Sequence, residues 1–432
     1  MRNTWKAAPL DSYMILQEGF NDHHIRVVVE LSGLIDDERL KRVIFATAET
    51  CPVLTAGYKV GWPWGDKWVE TAGPESAELH YQAVEAGCEV EAQAEREAAL
   101  AQKPDGVRGP QLAITRVRFN GRDSLVLVMN HVAMDGSGFR AYLCLLAKYY
   151  SDAGCLAQSG LVSPGKTREA ITLLNQFSTR TRIHLALRKG GRPIEPVLVV
   201  PSPPSSGEEA DGLQPRLFLL RARVSDLTAI GPGKAELRPT LNDSFMALVC
   251  AGLDAGVNWS SQGNGLQMAF MVDLRRYNGA GALSPFCNAA SMETIDMGAP
   301  GLGLGERAAA ICRATRCAKA NLPGLANLAR IKLAHSILPR PLYRNILRRA
   351  IASASLSTTN MGKLNSASLR FGELEVIDAY FVAALKEEPT LQFTFSTFGE
   401  NLAISSYGRY SAENAARVAA IYAAMKAVIS AP

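Results

Sequence analysis

Hydrophobic and polar positions follow two different periods along the first half of the chain. The run HIRVVVELSG at 24–33 is apolar and β-branched and predicts a strand, whereas DDERLKRVIFATAETC at 36–51 places apolar residues at helical spacing. The stretch QLAITRVRFNGRDSLVLVMNH at 111–131 holds two apolar runs joined by an Asn-Gly pair, which is typical of a tight hairpin. The helical period returns in GFRAYLCLLAKYYSD at 138–152. Strands and helices are therefore expected in mixed order.

The amino-acid composition changes near the middle of the chain. Residues 189–215 are rich in Pro, Gly and Ser. Such a composition predicts an interdomain linker, which we place at 191–215, between a first unit at 1–190 and a second at 216–432.

The second half repeats the mixture of strands and helices. The segment RLFLLRARV at 216–224 predicts a strand, and Ser225 is expected to cap a helix. The later segments predict an apolar helix at 240–256, a strand at 265–277, a basic helical zone at 306–353, three closing strands and a final helix. Since neither half shows a regular βα repeat, we expect an α+β fold with mixed sheets.

Composition narrows the classes of function. A chain of 432 residues with 47% hydrophobic and 20% charged residues can bury a large core, and its length favours two domains. The balance of 46 Lys and Arg against 41 Asp and Glu is too even for a nucleic-acid-binding protein. The eight cysteines form no CxxC pair, so we expect reduced core thiols. With neither a secretory signal nor an apolar run of ~20 residues, we expect a cytoplasmic protein, and a monomer.

The most informative stretch is LVLVMNHVAMDGSGF at 125–139, where an apolar strand ends on a histidine. A neutral imidazole at the end of a rigid strand can remove a proton from a hydroxyl or an amine, which makes His131 a candidate general base. Asp135 could orient that ring, or it could pair with an arginine and hold the turn. Gly136 removes a side chain where a ligand or backbone passes. The alternative is a core histidine beside an ordinary Asp-Gly turn.

These residues resemble the HxxxDG acyltransferase superfamily. That superfamily includes chloramphenicol acetyltransferase, condensation domains of nonribosomal peptide synthetases, plant hydroxycinnamoyl-type transferases, alcohol acetyltransferases and polyketide-associated acyltransferases. The signature stands here as HVAMDG. Four further segments are similar to family segments in the same order: VVVELSGLIDDERLKRVIFATAETCPVLTAGY, TLNDSFMALVCAGL, MVDLRRY and TTNMGKL.

The resemblance implies two chloramphenicol-acetyltransferase-like subdomains that meet at a tunnel, with His131 as general base at its midpoint. It makes Asp135 and Gly136 structural, with Asp135 held by Arg275. Asn360 could stabilise the oxyanion or could equally cap a strand end. The implied donor is acyl-CoA or the phosphopantetheine thioester of an acyl carrier protein, with no permanently bound cofactor, and the acceptor is a small molecule with a hydroxyl or an amine.

Two departures from the family narrow the branch. Asn130 stands where condensation domains usually carry a second histidine, and the plant DFGWG motif is missing. We therefore expect a free-standing alcohol or amine acyltransferase. A condensation-type enzyme acting on carrier-bound substrates and a non-catalytic binding relative are the alternatives.

Other motifs compete less well. GLVSPGKT at 160–167 matches the phosphate-binding pattern GxxxxGK[ST], but no apolar strand leads into it, so we favour a surface turn. No HExxH motif, close His/Cys cluster or GxSxG elbow is present, so no metal or serine-hydrolase site is expected. A basic set could meet CoA phosphates, an acidic carrier protein or an anionic lipid surface, or could be a solvated helical face. It comprises Arg313, Arg316, Lys319, Arg330, Lys332, Arg340, Arg344, Arg348 and Arg349.

Overall fold

A computed structural model of the protein describes most of the chain. The described residues are 3–62, 64–71, 80–152, 166–188, 194, 196–199, 213–228, 238–256, 266–279 and 281–430. Most of the predicted linker at 191–215 and most of the GxxxxGK[ST] match at 160–167 lie outside them.

The helices of the described residues lie in both halves. They are Pro9–Ile15 (α1), Asp37–Thr50 (α2), Glu89–Ala101 (α3), Gly136–Ser151 (α4), Thr179–Leu187 (α5), Val224–Thr228 (α6), Leu241–Gly256 (α7), Leu304–Ala320 (α8), Leu325–Ile337 (α9), Arg340–Ala352 (α10) and Ala412–Ser430 (α11). Short 3₁₀ helices span Pro52–Thr55, Ala170–Gln176, Leu274–Tyr277 and Ser366–Ser368.

The strands of the described residues form three sheets. They are Thr4–Lys6 (β1), His24–Leu31 (β2), Ala56–Lys59 (β3), Lys67–Glu70 (β4), His80–Glu85 (β5), Leu112–Phe119 (β6), Arg122–Asn130 (β7), Gln214–Arg223 (β8), Gln267–Asp273 (β9), Ala290–Asp296 (β10), Leu356–Leu364 (β11), Arg370–Phe371 (β12), Leu374–Val382 (β13), Lys386–Glu387 (β14), Leu391–Phe398 (β15) and Asn401–Tyr410 (β16).

Two of these sheets are large and mixed. The first has the order β12-β13-β2-β7-β6-β5, with only β5 and β6 parallel. The second has the order β10-β9-β11-β15-β16-β14, and β8 also pairs with β16. A small third sheet, β1-β4-β3, shares no strand pairing with either, although its Tyr58 and Trp68 belong to the same core as the first sheet. The predicted α+β class with mixed sheets is confirmed.

The first sheet is apolar on both faces, which explains why its central strands read as unbroken apolar runs. In β2, Val27 and Val29 belong to the core built with α2 and α4. Val28 lies between them on the opposite face, in a cluster that also holds Tyr380 of β13 and Tyr407 of β16. That second cluster joins the two large sheets.

Residues beyond the predicted linker complete the first sheet. β13 pairs antiparallel with β2, matching Ala379 to Val29 and Phe381 to Val27, and β12 extends the edge. The strands of 370–382 therefore belong to the first sheet by hydrogen bonding, although the predicted boundary assigns them to the second unit.

Several local predictions can be compared with the structure. The hairpin at 111–131 is confirmed, and both residues of its turn have positive φ, 49° at Asn120 and 71° at Gly121. The predicted cap at Ser225 is wrong, because α6 already begins at Val224 and the strand runs directly into it. The prediction of core thiols is wrong for Cys88 and Cys317, which are exposed.

Candidate active site

The backbone around His131 is held on both sides. His131 directly follows β7, and its N–H donates to the carbonyl oxygen of His23 at 3.0 Å. The buried Asn130 amide donates to the Pro104 carbonyl at 2.9 Å and accepts from the Val132 N–H at 2.9 Å. Asn130 therefore terminates the strand and fixes the turn that follows.

The orientation of the His131 ring depends on Asn288. Nδ1 of His131 lies 3.1 Å from Oδ1 of Asn288. The amide nitrogen of Asn288 donates to Oδ1 of Asp11 and to the carbonyl oxygen of Val132, both at 3.0 Å. Because both of these partners are acceptors, the nitrogen must face them, and the oxygen must face His131. An amide oxygen can only accept, so Nδ1 carries the proton and Nε2 is left as the basic nitrogen.

Asp11 anchors this chain of hydrogen bonds. It is fully buried in α1 and accepts from the Trp68 indole nitrogen at 3.0 Å and from the Arg168 guanidinium at 3.3 Å. Arg168 also donates to the carbonyl oxygen of Ala133 at 2.6 Å, one residue before Met134 in the turn. The buried carboxylate is thus satisfied by charged and neutral donors together, as a buried charge requires.

Asp135 faces away from the His131 ring nitrogens. Its Oδ1 accepts from the Gly138 N–H at 2.8 Å and so caps α4. Its Oδ2 accepts from Arg275 at 2.9 Å and from the Ala289 N–H at 2.7 Å. Arg275 in turn donates to the carbonyl oxygen of Cys287 at 2.8 Å. The ion pair therefore binds the backbone on both sides of Asn288, at Cys287 and at Ala289. These contacts hold the Asn288 amide next to His131.

Gly136 and Gly138 lie where other parts of the protein pack closely against the backbone of the turn. A Cβ on Gly136 would meet the end of the Met361 side chain, with Cε at 2.4 Å and Sδ at 2.7 Å. A Cβ on Gly138 would lie 2.9 Å from Cβ of Met134 and 3.1 Å from the carbonyl oxygen of Pro285. At both glycines the neighbouring atoms are therefore protein atoms, and the segments pack closely there.

Asn360 has the contacts of a structural residue. Its Oδ1 accepts from the Gly362 N–H at 2.8 Å, and its Nδ2 donates to Asn242 at 3.1 Å. The turn closed by the first bond coincides with the register shift of β11 between Asn360 and Lys363. Asn360 lies in the middle of β11 rather than at its end, and no hydrogen bond joins it to His131 among the described residues.

Burial keeps the ring of His131 neutral. Desolvation lowers its pKa below the ordinary 6.5, with the negative charge of Asp135 opposing and the positive charge of Lys386 adding to the effect. Burial also lowers the pKa of Lys386 to about 8 and that of His23 to about 4. At neutral pH the site therefore holds two uncharged imidazoles.

Asn288, Asp11 and Arg168 were missed by the sequence interpretation. Asn288 lies in FCNAAS, Asp11 in APLDSYM and Arg168 just after the unsupported GxxxxGK[ST] match, and none of these contexts matches a motif. Their shared signal is a polar residue next to apolar ones, which is too common to single them out.

Comparisons with known proteins bear on the fold of the chain. No protein-family model matches the chain, and no curated protein matches its sequence. Polyketide synthase associated protein 5 from Mycobacterium tuberculosis is 17% identical, with a TM-score of 0.62 over 100% of this chain and 99% of that one. The starter condensation domain of rhizomide synthetase RzmA, crystallised with C8-CoA, is 15% identical, with a TM-score of 0.62 over 99% and 95%. The trichothecene 15-O-acetyltransferase TRI3 from Fusarium sporotrichioides is 12% identical, with a TM-score of 0.64 over 99% and 96%.

The chain has the fold that these three structures share. The resemblance suggested by HVAMDG is thereby confirmed for the fold. None of the described helices is both long and apolar enough to cross a bilayer. The basic set at 313–349 lies on α8, α9 and α10.

Proposed function

We propose that the protein is an acyltransferase that moves an acyl group from a thioester to a hydroxyl or amine acceptor. The observation that carries the proposal is the hydrogen-bond chain from Asp11 through Asn288 to Nδ1 of His131. It leaves Nε2 unprotonated on a ring whose pKa is lowered by burial, as a general base at neutral pH requires.

The proposed reaction uses the histidine twice. Nε2 of His131 takes the proton of the acceptor O–H or N–H while the acceptor oxygen or nitrogen attacks the thioester carbonyl carbon. The tetrahedral intermediate then expels the sulfur, and the imidazolium returns its proton to the thiolate. The products are an ester or amide and a free thiol, and the enzyme is regenerated.

The donor is a thioester of CoA or of a carrier-bound phosphopantetheine. The C8-CoA complex of the similar starter condensation domain supports the first source. The second candidate is a condensation-type enzyme that carries out the same chemistry on carrier-bound substrates. The similarity to a starter condensation domain over 99% of this chain supports it.

Steady-state assays with a panel of acyl-CoA donors and alcohol or amine acceptors test the proposal. His131→Ala should keep its fold by circular dichroism and lose at least ~100-fold in kcat, the scale of general-base loss. His184→Ala is the matched control, because His184 is exposed on α5. A folded His131→Ala enzyme with unchanged turnover would exclude the mechanism and leave the non-catalytic alternative.

A further inference from the structure

The region from α8 to β12 has an unusual charge pattern. Between Glu306 and Glu373 the chain carries no Asp or Glu, yet a sequence with 41 acids in 432 residues would place about six in a stretch of that length. The same stretch contains twelve basic residues. These are Arg307, Arg313, Arg316, Lys319, Arg330, Lys332, Arg340, Arg344, Arg348, Arg349, Lys363 and Arg370.

Exposed aliphatic side chains lie within this basic region. Leu333 and Ile337 of α9 are 46% and 66% exposed, and Leu342 and Ile346 of α10 are 49% and 46% exposed. Each pair has i, i+4 spacing, so its members share a helix face. On α10, Arg349 continues the face of Leu342 and Ile346 at i+7, whereas Tyr343 and Leu347 are buried.

A tryptophan-containing loop is fastened to the junction of these helices. The indole nitrogen of Trp64 donates to the carbonyl oxygen of Leu338 at 3.2 Å, and its ring lies 4.4 Å from that of His335. Arg340 covers the same indole at 4.7 Å and pairs with Asp66. This anchoring holds the preceding loop residue Trp62 near the junction with 94% of its surface exposed.

We call this region the α9–α10 corner. It is defined by Val60, Trp62, Leu333, Ile337, Leu342 and Ile346 with the cations Lys332, Arg348 and Arg349. The six apolar members are nearly half of the thirteen exposed large apolar side chains of the described residues. None of the ion pairs among the described residues includes Lys332, Arg348 or Arg349.

We propose that the α9–α10 corner docks the protein on the surface of an anionic lipid bilayer. Exposed tryptophans commonly lie at the level of the lipid headgroups. Exposed aliphatic side chains on a helix face can insert into the outer part of the bilayer, and arginines bind lipid phosphates. Because residues 307–372 contain no Asp or Glu, no acid of α9 or α10 repels a negative surface.

A bilayer explains the corner better than an acidic carrier protein does. Charge alone would suit either partner. A protein partner, however, must match the shape of apolar side chains spread over two helices and a loop, whereas a fluid bilayer accommodates them without a complementary surface. The inference does not depend on the proposed chemistry, because no residue of the corner contacts His131, Asn288 or Asp135 in the structure.

Sedimentation with vesicles tests the proposal. The full chain is mixed with vesicles of phosphatidylcholine alone and with vesicles containing about one third phosphatidylglycerol. We expect binding to the anionic vesicles only, weakening as salt screens the surface charge. No binding to either vesicle, or equal binding to both, would overturn the proposal.

Two double variants locate the binding surface. Arg348→Gln/Arg349→Gln should weaken partition onto anionic vesicles about 25-fold, since each arginine near the surface contributes about fivefold. Leu342→Ser/Ile346→Ser should weaken it at least about tenfold. Both pairs are exposed, so thermal melts should match the wild type.

Matched substitutions elsewhere provide the controls. Arg122→Gln/Lys426→Gln and Val90→Ser/Ile377→Ser change exposed residues outside the corner and should leave vesicle binding unchanged. If the corner variants bind vesicles as these controls do, the docking surface is elsewhere and the proposal fails. Capture of an acidic acyl carrier protein through Arg348 and Arg349 without vesicle binding would also overturn it.

Discussion

At the scale of single residues, the site is organised around one amide. Asn288 has acceptors on its nitrogen side and the His131 ring on its oxygen side, so its two ends cannot be exchanged without placing like groups together. The neutral side chain of Asn288 thus selects the tautomer of His131. The carboxylate of the motif, Asp135, instead caps α4 and binds Arg275. This departs from a triad in which the acid contacts the base directly.

We expect Asn288→Ala to remove the preference of His131 for the tautomer with the proton on Nδ1. Nitrogen-15 NMR of the wild type should show Nε2 unprotonated, and the variant should show a mixture of the two neutral forms. The kcat should fall by roughly 10- to 100-fold, less than the loss of at least ~100-fold expected when the base itself is removed, with a smaller change in KM. Asn327→Ala removes another partly buried amide as a control, and an unchanged nitrogen spectrum in Asn288→Ala would contradict the assignment.

The pH dependence of activity follows from the burial of His131. Because desolvation lowers its pKa below 6.5, the ring stays unprotonated until the pH falls below that value. The acid limb of kcat/KM, which reports the free enzyme, should therefore fall at a pH below 6.5. Rate profiles with a donor that does not titrate in this range measure it, and an acid limb above pH 7 would be inconsistent with His131 as the base.

At the scale of elements, three segments meet at the Asp135–Arg275 pair. The pair connects the beginning of α4, the 3₁₀ helix Leu274–Tyr277 and the chain around Cys287. Asp135 is almost fully buried, so its carboxylate needs the charge of Arg275, whereas Arg275 also pairs with Asp273 at 3.2 Å. The pair is therefore a support that holds Asn288 in register with His131.

We expect Arg275→Ala to lower the free energy of unfolding by about 3 to 5 kcal/mol, because it leaves the buried Asp135 carboxylate without a cationic partner. Asp135→Ala should lower it by less, because Arg275 keeps its ion pair with Asp273 at 3.2 Å. The double variant should cost less than the sum of the two single changes. Urea denaturation of the four proteins gives the coupling free energy. Strict additivity would show that the two residues do not interact.

The two glycines of the motif should respond differently to an added methyl group. Gly138→Ala meets Cβ of Met134 and the backbone of Pro285, which cannot move alone, and should cost about 1 to 3 kcal/mol. Gly136→Ala meets only the flexible end of Met361 and should cost less. Thermal melts of the two variants compare them directly, and a larger loss for Gly136→Ala would be the contrary result.

At the scale of the whole molecule, a strand from the second half of the sequence completes the first sheet. β13 supplies the outer partner of β2, and the cluster around Val28, Tyr380 and Tyr407 joins the two large sheets. A first unit ending at residue 190 would leave the apolar strand β2 as an open edge, and such edges favour aggregation.

We therefore expect residues 1–190 expressed alone to aggregate or to remain molten. A chain in which 366–385 is added through a flexible linker should regain a dispersed NMR spectrum, because β12 and β13 again cover β2. Light scattering and NMR of the two fragments make the comparison. A monomeric, well-dispersed fragment 1–190 would show that β13 is dispensable.

The sequence by itself determined the periodic elements and pointed to His131 as the candidate base. The strand at 24–31, the hairpin at 112–130 and the helix at 136–151 follow from local periodicity and turn chemistry, which depend on neighbours only a few residues away. His131, with the Asp-Gly pair after it, stood out because a polar cluster at the end of an apolar strand is uncommon. The resemblance to a superfamily then supplied Arg275 as the partner of Asp135.

Only the tertiary structure decided which side chains surround the base. Asn288 lies 157 positions from His131 and Asp11 lies 277 from Asn288, so no local pattern connects them. The same holds for β13, which joins a sheet formed by strands more than 240 residues earlier in the chain. Hydrogen bonds between distant segments depend on how the sheets pack, and that packing is a property of the whole chain rather than of any window within it.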